Sequence, residues 1–184
     1  MSSRVDAIML APIAGLVRQH VSVKHYEDIY EGNRHRIFSL AFYMTHSEPE
    51  AEELMSETFC RAFRAFKKPT AEQLDRALVS ELRTTRPIGP LTLQVRLDQA
   101  KAEQPGKERV CQNTKRTEME EAVVQLPATE RMIFLMHDVE SYDHARIAKT
   151  MGISQEESKA GLFQARMRIR EILSNQQSAI SNRQ

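Results

Sequence analysis

The sequence predicts an all-α protein made of two small helical domains joined by a linker. Three observations lead there. Ala, Leu, Glu, Arg, Gln and Met, all good helix formers, are plentiful in the 184 residues, which contain only six glycines and no tryptophan. Apolar residues recur at helical spacing in two separate stretches. Between those stretches the punctuating residues gather, with Pro87, Gly89, Pro90, Pro105 and Gly106 close together.

The elements follow in order. Residues 1–23 read as an N-terminal arm or helix, because the apolar stretch Ala7 to Val17 is interrupted by Pro12 and leads to no good cleavage site. Residues 24–86 form the first domain. Tyr26, Ile29, Tyr30, Ile37, Phe38, Leu40, Ala41 and Met44 mark one helix, with Gly32–Asn33 as a weak spot. Thr45-His46-Ser47 breaks it. Ser47 is placed to cap the next helix, with Glu50 at the reciprocal position and Pro49 in the first turn, where its missing amide costs nothing. Ala51, Leu54, Met55, Thr58, Phe59, Ala62, Phe63 and Phe66 line that helix, and Lys67-Lys68-Pro69 ends it. A shorter helix is expected from Ala71 to Leu82.

Residues 87–117 read as a linker with one helix from Leu91 to Ala102, its basic excess being that of a solvated segment. Residues 118–175 form the second domain, and 176–184 a tail. In that domain a helix runs through Met132, Ile133, Leu135, Met136 and Val139. Asp143 caps a short helix that ends at Met151. Gly152 stands where a left-handed residue is wanted, since it has no Cβ to clash. Ser154 then caps a longer helix, with Glu157 completing a capping box. Leu162, Ala165, Ile169, Ile172 and Leu173 share one face of it.

Composition sets limits on function. The formal net charge is +1. Nucleic-acid contact therefore needs a local basic face or a larger complex that supplies charge. Cys60 and Cys111 form no CxxC and no disulfide framework, which fits a reducing cytoplasm. No apolar run reaches the ~18 residues of a membrane span. His20 and His25, and His137 and His144, lack ligand spacing, so no metal is expected. With no nucleophile–base pair and no phosphate loop, neither an enzyme nor a cofactor is expected, and no residue is assigned as catalytic.

Helix, glycine turn and capped second helix are the helix-turn-helix arrangement, whose second helix lies in the major groove. Arg166, Arg168 and Arg170 on that helix can engage phosphates. On spacing alone, an ordinary helical corner with a solvated arginine face remains the alternative.

Two stretches resemble a known family. Leu126-Pro127-Ala128-Thr129-Glu130-Arg131-Met132-Ile133-Phe134-Leu135, then Ile147-Ala148, Met151-Gly152-Ile153-Ser154, Lys159, Leu162 and Ala165-Arg166, resemble region 4 of extracytoplasmic-function (ECF) sigma factors of the sigma-70 family. Tyr26 to Met44 and the helix Glu50 to Arg64 resemble region 2. The two matches stand in family order and cover about three-fifths of the chain. The resemblance implies core RNA polymerase and promoter DNA as partners, with an anti-sigma factor as a further one. It implies that Glu50, Glu53, Leu54 and Glu57 meet the polymerase clamp. It also implies that the helix after Ser154 binds the −35 element, with Gln155, Ser158, Lys159 and Phe163 as readers.

The chain departs from the family in two places. Lys67 to Arg86 holds no aromatic residue where the family stacks one on a melted base, although Arg76, Arg83 and Arg86 could still contact phosphates. Ala160 and Gly161 offer no side-chain donor on the reading helix, and Glu156 and Glu157 repel phosphate. The expected function is that of a sigma factor. The alternatives are a helix-turn-helix regulator that does not direct initiation, and a diverged sigma-like interaction protein.

Overall fold

The computed structural model describes residues 23–89 and 116–181. The arm at 1–22, the helix expected from Leu91 to Ala102, Cys111 and the last three residues lie outside the described residues. All regular elements among the described residues are helical. The chain divides between Thr85 and Arg86 into two compact units.

The first unit holds α1 (Val23–Thr45), α2 (Glu48–Ala65) and α3 (Ala71–Thr85). Helix α1 runs unbroken through Gly32–Asn33, which corrects the weak spot expected there. The Asn33 side chain ties the turn instead. Its Nδ2 donates to the Ile29 carbonyl at 2.8 Å, and its Oδ1 accepts from Arg36 Nη2 at 3.0 Å. His46 takes a left-handed conformation between α1 and α2 (φ 58°), and Ser47 caps α2 by accepting from the Glu50 amide at 3.5 Å. Thr70 and Gln73 form a capping box at the start of α3. The Thr70 amide donates to Gln73 Oε1 at 2.8 Å, and the Gln73 amide to Thr70 Oγ1 at 3.3 Å.

The core of this unit is aliphatic and aromatic. Ile37, Leu40, Met44, Phe59, Leu74, Leu78 and Leu82 are buried. Tyr26 and Tyr30 of α1 pack on Phe63 and Phe59 of α2, with ring centroids 4.2 and 4.9 Å apart. Asp75 of α3 brings a charge into this core. It is fully buried and paired with Arg36 of α1. Cys60 is half-buried, and burial raises its thiol pKa, as expected of a packing residue rather than a reactive one.

The second unit holds α4 (Arg116–Val124), α5 (Ala128–Phe134), a π turn (Leu135–Val139), α6 (His144–Met151) and α7 (Gln155–Ser181). Residues 87–89, expected as the start of the linker, fall within this unit. Ile88 is buried there, and the Gly89 amide donates to Thr129 Oγ1 at 3.2 Å. Arg131 of α5 reaches back to the end of α4 and donates to the carbonyls of Val124 and Leu126, so a side chain satisfies carbonyls that have no helical partner. Leu126, Met132, Ile133, Leu135, Met136, Ile147, Met151, Ala165 and Ile169 make the core.

Candidate DNA-facing helix and acidic partner face

The helix expected from Met132 to Val139 is α-helical only as far as Phe134, and then widens. The Glu140 amide bonds to the Leu135 carbonyl at 3.0 Å, five residues back, and the Tyr142 amide to Met136 at 2.9 Å, six back. A π turn of this kind shifts the side chains that follow it relative to a regular helix. Ser141 then takes the left-handed conformation (φ 58°) and turns the chain into α6.

The helix-turn-helix frame follows. Asp143 caps α6 by accepting from the Arg146 amide at 2.7 Å. Gly152 ends α6 in the left-handed region (φ 59°, ψ 41°), where a Cβ would be strained. Ser154 and Glu157 form a reciprocal capping box. The Ser154 amide donates to Glu157 Oε2 at 2.7 Å, and the Glu157 amide to Ser154 Oγ at 3.1 Å. Hydrogen bonding to the carboxyl by the Ser154 amide, and then by its side chain, holds Glu157 below its ordinary pKa. The caps set the start of α7, and with it the register of every side chain along that helix.

In that register α7 turns one face outward. Gln155, Glu156 and Lys159 are exposed, Phe163, Arg166 and Arg170 are half-buried, and Met167 is exposed further along. Lys159 Nζ lies 3.4 Å from Glu156 Oε1, so the lysine of this face is shared with a carboxylate. Two expected DNA contacts lie elsewhere. Ser158 is fully buried, with its Oγ 3.0 Å from His144 Nδ1, and is not presented to a groove. At roughly 100° per residue, Arg168 is turned about 200° from Arg166. Its Nε sits 2.9 Å from the Oε2 of buried Glu130 on α5, where burial raises the glutamate's pKa and the arginine draws it back down. Arg168 therefore braces α7 against α5.

Arg166 stays on the outward face but is held there. Its Nε and Nη2 donate to Asp138 Oδ2 and Oδ1 of the π turn at 3.0 and 2.6 Å. Arg170 Nη1 lies 3.9 Å from the Met167 sulfur. Of the expected DNA contacts, Gln155, Lys159 and Phe163 stay on the outward face, with Arg170 about 22 Å along the axis from the start of the helix.

On the first unit, Glu50, Glu53 and Glu57 are exposed on α2. Glu53 and Glu57, four apart, are neighbours on the helix surface. Leu54, expected among them, is buried among the core residues of its own unit. It holds α2 in place, and only the acidic edge of the expected set is exposed.

His137 and His144, seven residues apart and without ligand spacing, stack with ring centroids 4.8 Å apart. The π turn brings them together, and no spacing rule signals that. No group of three or more metal-ligating side chains occurs among the described residues.

A two-unit helical chain carrying a capped helix-turn-helix has the arrangement whose second helix, in DNA-binding proteins, lies in the major groove. Residues 29–77 match the family model for Sigma-70 region 2, and residues 116–169 that for Sigma-70, region 4. Together they span more than half of the sequence, in family order. The chain belongs to the sigma-70 family. Its similarity to an ECF member sets it in that group: it is 22% identical over 162 residues to the ECF RNA polymerase sigma factor SigE of Mycolicibacterium smegmatis. That match covers 83% of this chain and 63% of SigE, so the chain spans less than two thirds of that relative's length.

Proposed function

We propose that the protein is a sigma factor of the ECF type, a non-enzymatic initiation factor that joins core RNA polymerase and directs it to promoters. The ordered pair of family segments, region 2 then region 4, carries this reading. The acidic edge Glu50, Glu53 and Glu57 faces the polymerase clamp, and α7 enters the major groove at the −35 element. Gln155 and Lys159 supply donors to base edges, and Phe163 an apolar contact suited to a thymine methyl. Arg170, and Arg166 where Asp138 releases it, supply phosphate contacts.

Work in the cytoplasm follows from this function, and no helix among the described residues is long and apolar enough to cross a membrane. An anti-sigma factor is the regulatory partner this function calls for. The test is reconstitution. Purified chain and core polymerase should co-elute, and the complex should initiate at sites mapped for the tagged protein in cells. A chain that never associates with core polymerase at any salt concentration ends this reading.

A further inference from the structure

A continuous series of side-chain interactions leaves α7 at Ser158 and returns to it at Arg166. Ser158 Oγ meets His144 Nδ1 at 3.0 Å. The His144 ring stacks on His137 at 4.8 Å, with 29° between the planes. His137 Nδ1 lies 2.7 Å from Asp138 Oδ1, and Asp138 accepts both bonds from Arg166. Ser158 and Arg166 are eight residues apart, about 12 Å along the helix axis. The series therefore pins α7 at two points to the π turn and to the first residue of α6.

Ser158 is fully buried near the start of the groove helix. A buried hydroxyl without a partner is costly, so its bond to His144 is a condition of that helix lying where it does. His144 in turn stands among charges from every element around it. His137 faces it from the π turn, Asp143 from the cap, and Lys159 and Arg166 from α7, while Asp138 of the π turn pairs with His137 and Arg166.

We propose that His137 and His144 are positioning residues which seat the groove helix while His144 is uncharged and loosen it when that ring takes a proton. A charged His144 ring is disfavoured by the stacked His137 ring and by Lys159 and Arg166, which carry charge of the same sign. Asp138 is already shared with Arg166, and Asp143 is committed to the α6 cap. The clamp depends on the proposed promoter-reading role only for its consequence on DNA, and its own test needs no DNA.

Burial, followed by His137, Lys159 and Arg166, holds His144 below the ordinary histidine range, with Asp143 pulling the other way. A base whose folded pKa is depressed stabilises the fold above its unfolded value of ~6.5 and loses that stabilisation as pH falls. The working range is therefore below about pH 6.5.

The test uses the full chain with isotope-labelled histidines, and follows ring titrations by NMR and thermal midpoints from pH 7.5 to 5.5. His137→Asn should raise the His144 titration midpoint, as expected from removing a stacked neighbour that disfavours the charged ring. His144→Gln keeps a side chain that can bond Ser158 but cannot charge. It should flatten the fall in thermal midpoint on acidification by about 3–5 °C relative to the parent. A His144 midpoint indifferent to His137→Asn overturns the proposal, as does an acid-induced fall of equal size in His144→Gln. If His144→Gln does not fold, the ring titration in His137→Asn still decides.

Discussion

Arg166 of α7 closes a two-point grip on Asp138 of the π turn, with Nε at 3.0 Å from Oδ2 and Nη2 at 2.6 Å from Oδ1. Burial works to raise the Asp138 pKa, but the hydrogen bonds from Arg166 and His137 outweigh it, and the carboxyl is held below its ordinary value. An acid depressed in the folded state contributes stability above its unfolded value of ~3.9 and loses it as pH falls through the folded one. Asp138→Asn should therefore lower unfolding free energy by about 1 kcal/mol near neutrality, since the pair is partly exposed and water screens it. That gap between parent and variant should shrink below pH ~4. Denaturant titrations at several pH values measure it, and a gap that stays constant into acid would show that Asp138 acts through packing rather than charge.

The three arginines of α7 divide by direction, and their salt dependence should divide with them. An arginine that neutralises one phosphate adds about 0.9 to the steepness of log K against log salt. Arg170→Ala should take roughly that amount from promoter binding by the reconstituted polymerase complex. Arg168→Ala should leave the slope nearly unchanged and instead lower the thermal midpoint, because Arg168 is committed to Glu130. The reverse pattern would mean that α7 meets DNA on a different face.

What the sequence reveals here is what is encoded within a few residues. The Asp143 cap, the Gly152 turn and the Ser154–Glu157 box span three or four positions each, and all are legible as spacing. The Thr70–Gln73 box is equally local, but Gln is a weaker signal than Glu at the reciprocal position, so it does not stand out beside Pro69. Pairings between elements are harder. Ser158 resembles a reader until His144, 14 residues earlier, is seen to bury it against α6. Arg36 and Asp75, 39 residues apart, carry no local sign of their pairing. Arg168 is different, because its turn of about 200° from Arg166 follows from helical period alone, and the run of alternate arginines conceals it. The π turn that joins His137 to His144 breaks the period itself, so nothing in the apolar pattern announces it.

The buried pair in the first unit leads to a severe variant. Asp75 has no exposed surface, while Arg36 keeps 18% of its side chain accessible. Removing the arginine leaves a carboxylate in the core without its cation, a change that typically costs about 3–5 kcal/mol. Arg36→Met should be destabilised by that order, and the loss should be largely recovered in the double variant Arg36→Met, Asp75→Leu, which takes out the stranded charge. Chemical denaturation of the two variants measures this. A double variant no better than the single would show that the helices need the pair itself, not merely the absence of an unpaired charge.

Gly32 sits in the interior of α1, exposed, and a Cβ added there would meet no atom within 4 Å. Its backbone is helical, so alanine can adopt the same conformation without strain. The glycine's cost then lies in the unfolded chain, whose extra freedom folding must remove. Gly32→Ala should raise stability by about 0.5–1 kcal/mol. In a unit of this size that corresponds to a thermal midpoint higher by roughly 3–8 °C. Calorimetry of the full chain checks it, with the transition of the first unit as the signal. The gain should appear without any change in polymerase association, because the residues proposed to face the polymerase, Glu50, Glu53 and Glu57, lie on α2. A stabilised variant that bound core polymerase less well would show instead that α1 must bend at Gly32 in the complex, and that the glycine is kept for that bend.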